Sequence, residues 1–137
     1  MIGTTRDMLA RFLVEHPEIK GKKVLEVGSL DVNGNASDLL TDYEYIATDM
    51  REGKNVNIVV NGHDLVEKFG EKSMDVVFCF AMLENDDKPW LSIKAMRDVL
   101  KSGGWLLLSA PSINHPKHDH PHDYYRYFGS TFESFLE

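Results

Sequence analysis

A chain of 137 residues with 42% hydrophobic and 27% charged side chains suits one globular domain spanning residues 1–137. Its formal net charge of -7 disfavours broad contact with nucleic-acid backbones and leaves room for a small or cationic ligand. The lone cysteine, Cys79, rules out an internal disulfide. With no apolar run near the roughly 18 residues of a membrane span, and no signal-peptide core, a cytoplasmic chain without membrane contact is expected.

Helical spacing of Met8, Leu9, Phe12 and Leu13 predicts a first helix starting at Thr4, where Thr4-x-x-Asp7 resembles a capping box. Pro17 and Gly21 end it. Residues 23–28 then read as a buried strand, 35–40 as a brief helix, and 44–49 and 56–60 as the second and third strands. Residues 74–80 form a nearly all-apolar fourth strand. A helix is predicted from Pro89 to Lys101, with Gly103-Gly104 at its end. Trp105 to Ala110 is the fifth strand, and Ser130-x-x-Glu133 caps a last helix. Strands apolar on both faces, alternating with helices, predict an α/β Rossmann-like fold. Its doubly wound, mainly parallel five-stranded sheet should run in the order 3-2-1-4-5 with helices on both faces.

In such sheets ligands bind beyond the carboxyl ends of the strands. The loop after the first strand, Glu26 to Asn35, fits a dinucleotide fingerprint poorly. Leu30 stands where a glycine should admit a pyrophosphate, and Glu26 and Asp31 add negative charge there. An NAD-type oxidoreductase is therefore disfavoured. The same acids suit a ligand carrying an ammonium and a sulfonium but no phosphate, with Gly28 permitting a tight turn beneath it. Asp49, ending the second strand, is placed to accept hydrogen bonds from ribose hydroxyls. As a bland alternative, Glu26 and Asp49 are simply solvated acids at strand ends.

These segments resemble the class I S-adenosylmethionine (SAM)-dependent methyltransferases, specifically the type 11 branch. The resemblance rests on Val24-Leu25-Glu26-Val27-Gly28-Ser29, Tyr45-Ile46-Ala47-Thr48-Asp49-Met50, and Ser73-Met74-Asp75-Val76-Val77 with Met82-Leu83-Glu84. Val99 to Leu108 and His120-Pro121-His122-Asp123-Tyr124-Tyr125-Arg126-Tyr127 extend it. It implies that SAM is the cofactor and S-adenosylhomocysteine the product. Glu26, Gly28 and Ser29 would line its methionine part, with Asp31 adding charge. Asp49 would hold the ribose, Met50, His63, Asp64 and Leu65 the adenine, and Phe80, Ala81 and Met82 the pocket floor. Asp64 equally suits a helix N-cap.

Two departures stand out. Asn85 follows Glu84 where the family commonly has a histidine. The chain also ends at Glu137, without the family's C-terminal hairpin, so it is either truncated or manages without those strands. The fifth strand then becomes a Trp/Leu edge, Trp105 to Ala110, through which a homo-oligomer is expected. The four histidines and two aspartates of 115–123 match no closed metal site, and no metal is expected. The resemblance makes this segment a loop over the pocket mouth. There His118, His120 or Tyr124 would handle an acceptor proton, and Arg126 would meet an acidic acceptor group. The leading expectation is methyl transfer to a small-molecule or glycan acceptor. The alternatives are a non-catalytic SAM-binding module and, less favoured, a metal-dependent hydrolase.

Overall fold

In the chain's computed structural model, residues 3–80, 82–117, 119 and 121–137 are described. The apolar runs become β1 (Lys23–Val27), β2 (Glu44–Asp49), β3 (Ile58–Val59), β4 (Met74–Phe80) and β5 (Leu100–Ser109). All pairings are parallel, and the sheet order is β3-β2-β1-β4-β5, as expected. Strand order thus reverses between β1 and β4.

Helices cover both faces. On one, α1 (Gly3–Glu15) lays Leu9, Phe12 and Leu13 over Val24, Val76, Phe78 and Phe80. On the other lie α2 (Leu65–Phe69), α3 (Pro89–Val99) and α4 (Gly129–Leu136). They bring Leu65, Ile93, Met96, Phe132 and Phe135 against Leu25, Val27, Val77 and Cys79. Burial of these side chains from water is the main force closing both layers.

Several boundaries differ from expectation for identifiable reasons. Helix α1 begins at Gly3, so Thr4 lies inside it, and Met8 is 40% exposed. The brief helix shrinks to a 3-10 turn, Ser37–Leu40. Strand β3 keeps two residues because the Ala47 amide donates to the Asn57 side-chain oxygen, while the Asn57 amide donates to the Ala47 carbonyl, so a side chain takes the place of a ladder acceptor. Helix α3 stops at Val99, and Gly103-Gly104 fall inside β5. Pairing there shifts between Met74 and Val76. A Cβ on Gly104 would lie 2.9 Å from the Asp75 carbonyl oxygen, so only glycine passes easily. Helix α4 starts at Gly129 after Phe128, with no side-chain cap, leaving Ser130 within the helix. Among the described residues, no helix is long and apolar enough to cross a membrane.

Candidate active site

The reversal between β1 and β4 opens one cleft of about 850 Å³ at the carboxyl ends of the strands. Gly28 makes the turn out of β1 with φ +82°, and its amide and that of Ser29 both donate to the Thr48 carbonyl (2.8 and 2.9 Å). A Cβ on Gly28 would stand 2.6 Å from Met82 Cβ, so this backbone passes directly beneath the segment after β4.

Two carboxylates face the cleft from neighbouring strand tips. Glu26 is 4% exposed and accepts a hydrogen bond from the Tyr45 hydroxyl. Burial pushes its carboxyl up to about 7, against the downward pull of that hydrogen bond. Asp49 is oriented by backbone amides, Leu30 donating to Oδ2 (3.2 Å) and Arg51 to Oδ1 (3.1 Å). Met50, 60% exposed, lies beside it on the cleft wall.

Beyond β3, Asn61, Gly62 and His63 reach the cleft. Asn61 Oδ1 accepts from the His63 amide (2.9 Å), and the His63 ring Nε2 pairs with Asp86 Oδ1 (2.9 Å). Asp86 also accepts from the Lys88 amide at 2.9 Å and from the Ser92 hydroxyl. A ligand atom from each of His63, Asp86 and Asp87 lies within 4.8 Å of the others, a set able to hold a metal ion, although the His63–Asp86 hydrogen bond already accounts for most of this closeness.

The structure brings Glu26, Gly28, Ser29, Asp49, Met50, His63, Phe80, Met82 and Tyr124 to the cleft wall. It leaves three expected contacts elsewhere. Asp31 turns back to close its own loop, accepting from the Gly34 amide (2.7 Å) and Asn35 Nδ2 (2.6 Å) and pairing with Lys54. Those bonds hold its carboxyl below the usual range. Asp64 points into solvent at the start of α2 with no side-chain capping bond, and Leu65 is fully buried in the core. The 3-10 turn Gly62–Asp64 rotates both away, so Asn61 and His63 face the cleft instead. Asn61 was missed; its place directly after an apolar strand and before a glycine was the available signal. Ala81, His118 and His120 lie outside the described residues.

The segment after β5 forms the far wall through His115, Pro121, His122 and Tyr124. Three tyrosines pin it to the turn after β4. The Tyr124 amide donates to the Glu84 carbonyl (2.7 Å), Tyr125 Oη to the Asp87 carbonyl (3.0 Å) and Tyr127 Oη to the Leu83 carbonyl (2.7 Å). Arg126 is committed to this scaffold instead of an acceptor. Its guanidinium donates to both Asp123 carboxylate oxygens (2.5 and 2.8 Å) and to the carbonyls of His115 (3.2 Å), Pro116 (3.0 Å) and Tyr125 (2.8 Å). All five donors are thereby used.

Residues 25–108, more than half of the chain, match the methyltransferase domain family. The chain belongs to this family of class I SAM-dependent methyltransferases. Its cofactor is SAM. The chain resembles a SAM-dependent methyltransferase from Archaeoglobus fulgidus, with a TM-score of 0.73 and 17% identity, over 96% of this chain and 66% of that one. The trans-methyltransferase CalH, solved with S-adenosylhomocysteine, matches with a TM-score of 0.52 and 20% identity, over 75% and 35%. The [4+2]-cyclase SpnF matches with a TM-score of 0.68 and 17% identity, over 95% and 54%, so the fold by itself does not fix the reaction. The chain therefore spans less than two thirds of the length of each of these proteins. No curated protein matches it.

Removing the Arg126 knot should loosen the far wall while sparing the sheet. In Arg126→Gln, amide exchange at Tyr124 and Tyr127 is expected to accelerate at least about tenfold, equivalent to roughly 1.4 kcal/mol of lost local stability. Amides of β1 and β4 should keep their native rates, as checked by hydrogen-exchange mass spectrometry.

Proposed function

We propose that this methyltransferase moves the methyl group of SAM onto a hydroxyl-bearing small molecule or glycan in the cytoplasm. One observation carries the cofactor site. Glu26 and Asp49 face a single cleft from adjacent strand tips, and Arg51 is the only lysine or arginine among the described lining residues. Such a wall attracts a cationic nucleoside and repels a phosphate-bearing one. The residues fit: Gly28 leaves backbone space, Glu26 offers a carboxylate for the ammonium group, and Asp49 offers acceptors for ribose hydroxyls. Met50 supplies an apolar surface, with Asn61 and His63 beside it, for the adenine.

When bound, SAM supplies an electrophilic methyl on a positively charged sulfur, which departs as a neutral thioether. The protein's contribution is then mainly alignment of the acceptor atom with that methyl. A hydroxyl acceptor also needs to release its proton. The His122 imidazole at the mouth is suited to receive it, and Tyr124, half exposed and 5.4 Å away between ring centroids, can orient the hydroxyl through its own Oη. The groups around them, carboxylates, imidazoles and an aromatic ring, can hydrogen-bond and pack against a polyhydroxylated acceptor.

Calorimetric titration with S-adenosylhomocysteine tests the cofactor site. Asp49→Ala should weaken binding at least about tenfold, equivalent to roughly 1.4 kcal/mol. An unchanged affinity would remove Asp49 from the site. A pH series tests Glu26. Its raised carboxyl is neutral below about 7 in the free protein, so affinity should be full above that pH. It should fall by up to about tenfold for each unit of acidification below it, and Glu26→Gln should flatten that dependence.

We also propose self-association through β5. This strand is a sheet edge, with Trp105 42% exposed. Light scattering at micromolar concentration should give a mass above one chain, and a clean monomer would count against the interface.

A further inference from the structure

The hydrogen bonds around Glu26 form a directed chain that reaches the loop after β2. Tyr45 Oη donates to the Glu26 carboxylate, and Asn55 Nδ2 donates both to Tyr45 Oη (3.2 Å) and to the Ser29 carbonyl (3.1 Å). Ser29 Oγ returns a bond to the Asn55 carbonyl (2.7 Å). Asn55 holds φ +63°, a left-handed conformation that asparagine tolerates better than most side chains. Tyr45 sits on the sheet face that also carries Val24, beneath α1, whereas Glu26 extends from that layer to the cleft.

The Asn55 side-chain amide donates to Tyr45 Oη and Tyr45 Oη donates to the carboxylate, a relay that favours its charged form. The other described ionisable groups acting nearby do not. Asp49 of β2 carries like charge and opposes ionisation of Glu26. The Cys79 thiol of β4, on the opposite sheet face, is pushed up by burial and stays neutral. Arg6 of α1 is engaged with Asp38. The Tyr45 phenol is itself raised by burial and then by Glu26, so it remains a donor.

We propose that Tyr45 and Asn55 are positioning residues for Glu26, holding its carboxylate at the cleft and setting the acidity at which an ammonium-bearing nucleoside is captured. This rests on the SAM reading above. It extends the binding machinery to two side chains that do not line the cleft.

The test uses S-adenosylhomocysteine as probe, titrated into the full chain from about pH 5.5 to about pH 8.5, alongside carbon-13 NMR titration of the Glu26 carboxyl in the free protein. Tyr45→Phe removes the charge-directed donor, so both midpoints should rise by about one to two pH units. Asn55→Gly keeps the left-handed backbone while deleting the amide, and should give a smaller rise in the same direction. If Tyr45→Phe does not fold, Asn55→Gly decides alone. Fixed midpoints in the folded variants overturn the proposal, as does a uniform loss of affinity at every pH with the NMR midpoint unmoved. If the native chain fails to bind the probe, the cofactor site falls and this proposal with it. Native binding with fixed midpoints overturns the proposal alone.

Discussion

Parallel pairing of β1 with β2 on one side and β4 on the other is the constraint on which the molecule depends. Parallel strands must be joined by crossovers, and apolar residues on both strand faces require helices over each. Connections leaving β1 and β4 diverge to opposite sides of the sheet, so a crevice opens between their carboxyl ends. Chemistry is then carried by short turns whose backbone is fixed by the strands behind them.

Electrostatics in this crevice follow from depth as much as from composition. Glu26 and Asp49 lie on neighbouring strands, and burial displaces the Glu26 carboxyl to about 7. Asp49, at the outer end of β2, is steered by two backbone amides. Glu26 is set deeper, 4% exposed, where the Tyr45 phenol donates to it. A nearby cation would restore favourable interactions to a buried carboxylate.

The turn after β4 joins the two ends of the cleft. Asp86 receives His63 from the β3 side, while the carbonyls of Leu83, Glu84 and Asp87 receive the tyrosine segment from the mouth. A displacement of this turn would therefore reach both walls through direct hydrogen bonds. The tyrosines divide their roles accordingly: Tyr127 is buried in the core, and Tyr124 is half exposed in the cleft.

Much of this was legible along the chain because the relevant signals are local. Apolar runs of strand length, separated by helical periodicity and glycine or proline stops, determined the α/β class and the five strands, and β2 and β4 match their expected bounds. The acids at the ends of β1 and β2 were equally readable, since a strand's end fixes where its last side chain goes. What tertiary structure decided was the direction of side chains in turns and the partners found across long sequence separations. Asp31 was drawn into its own loop by Asn35 and Lys54, a 3-10 turn exchanged Asp64 for Asn61 and His63, and Arg126 was consumed by carbonyls up to eleven residues away. A one-residue rotation in a turn redirects a side chain entirely, and strand or helix periodicity carries no information about it.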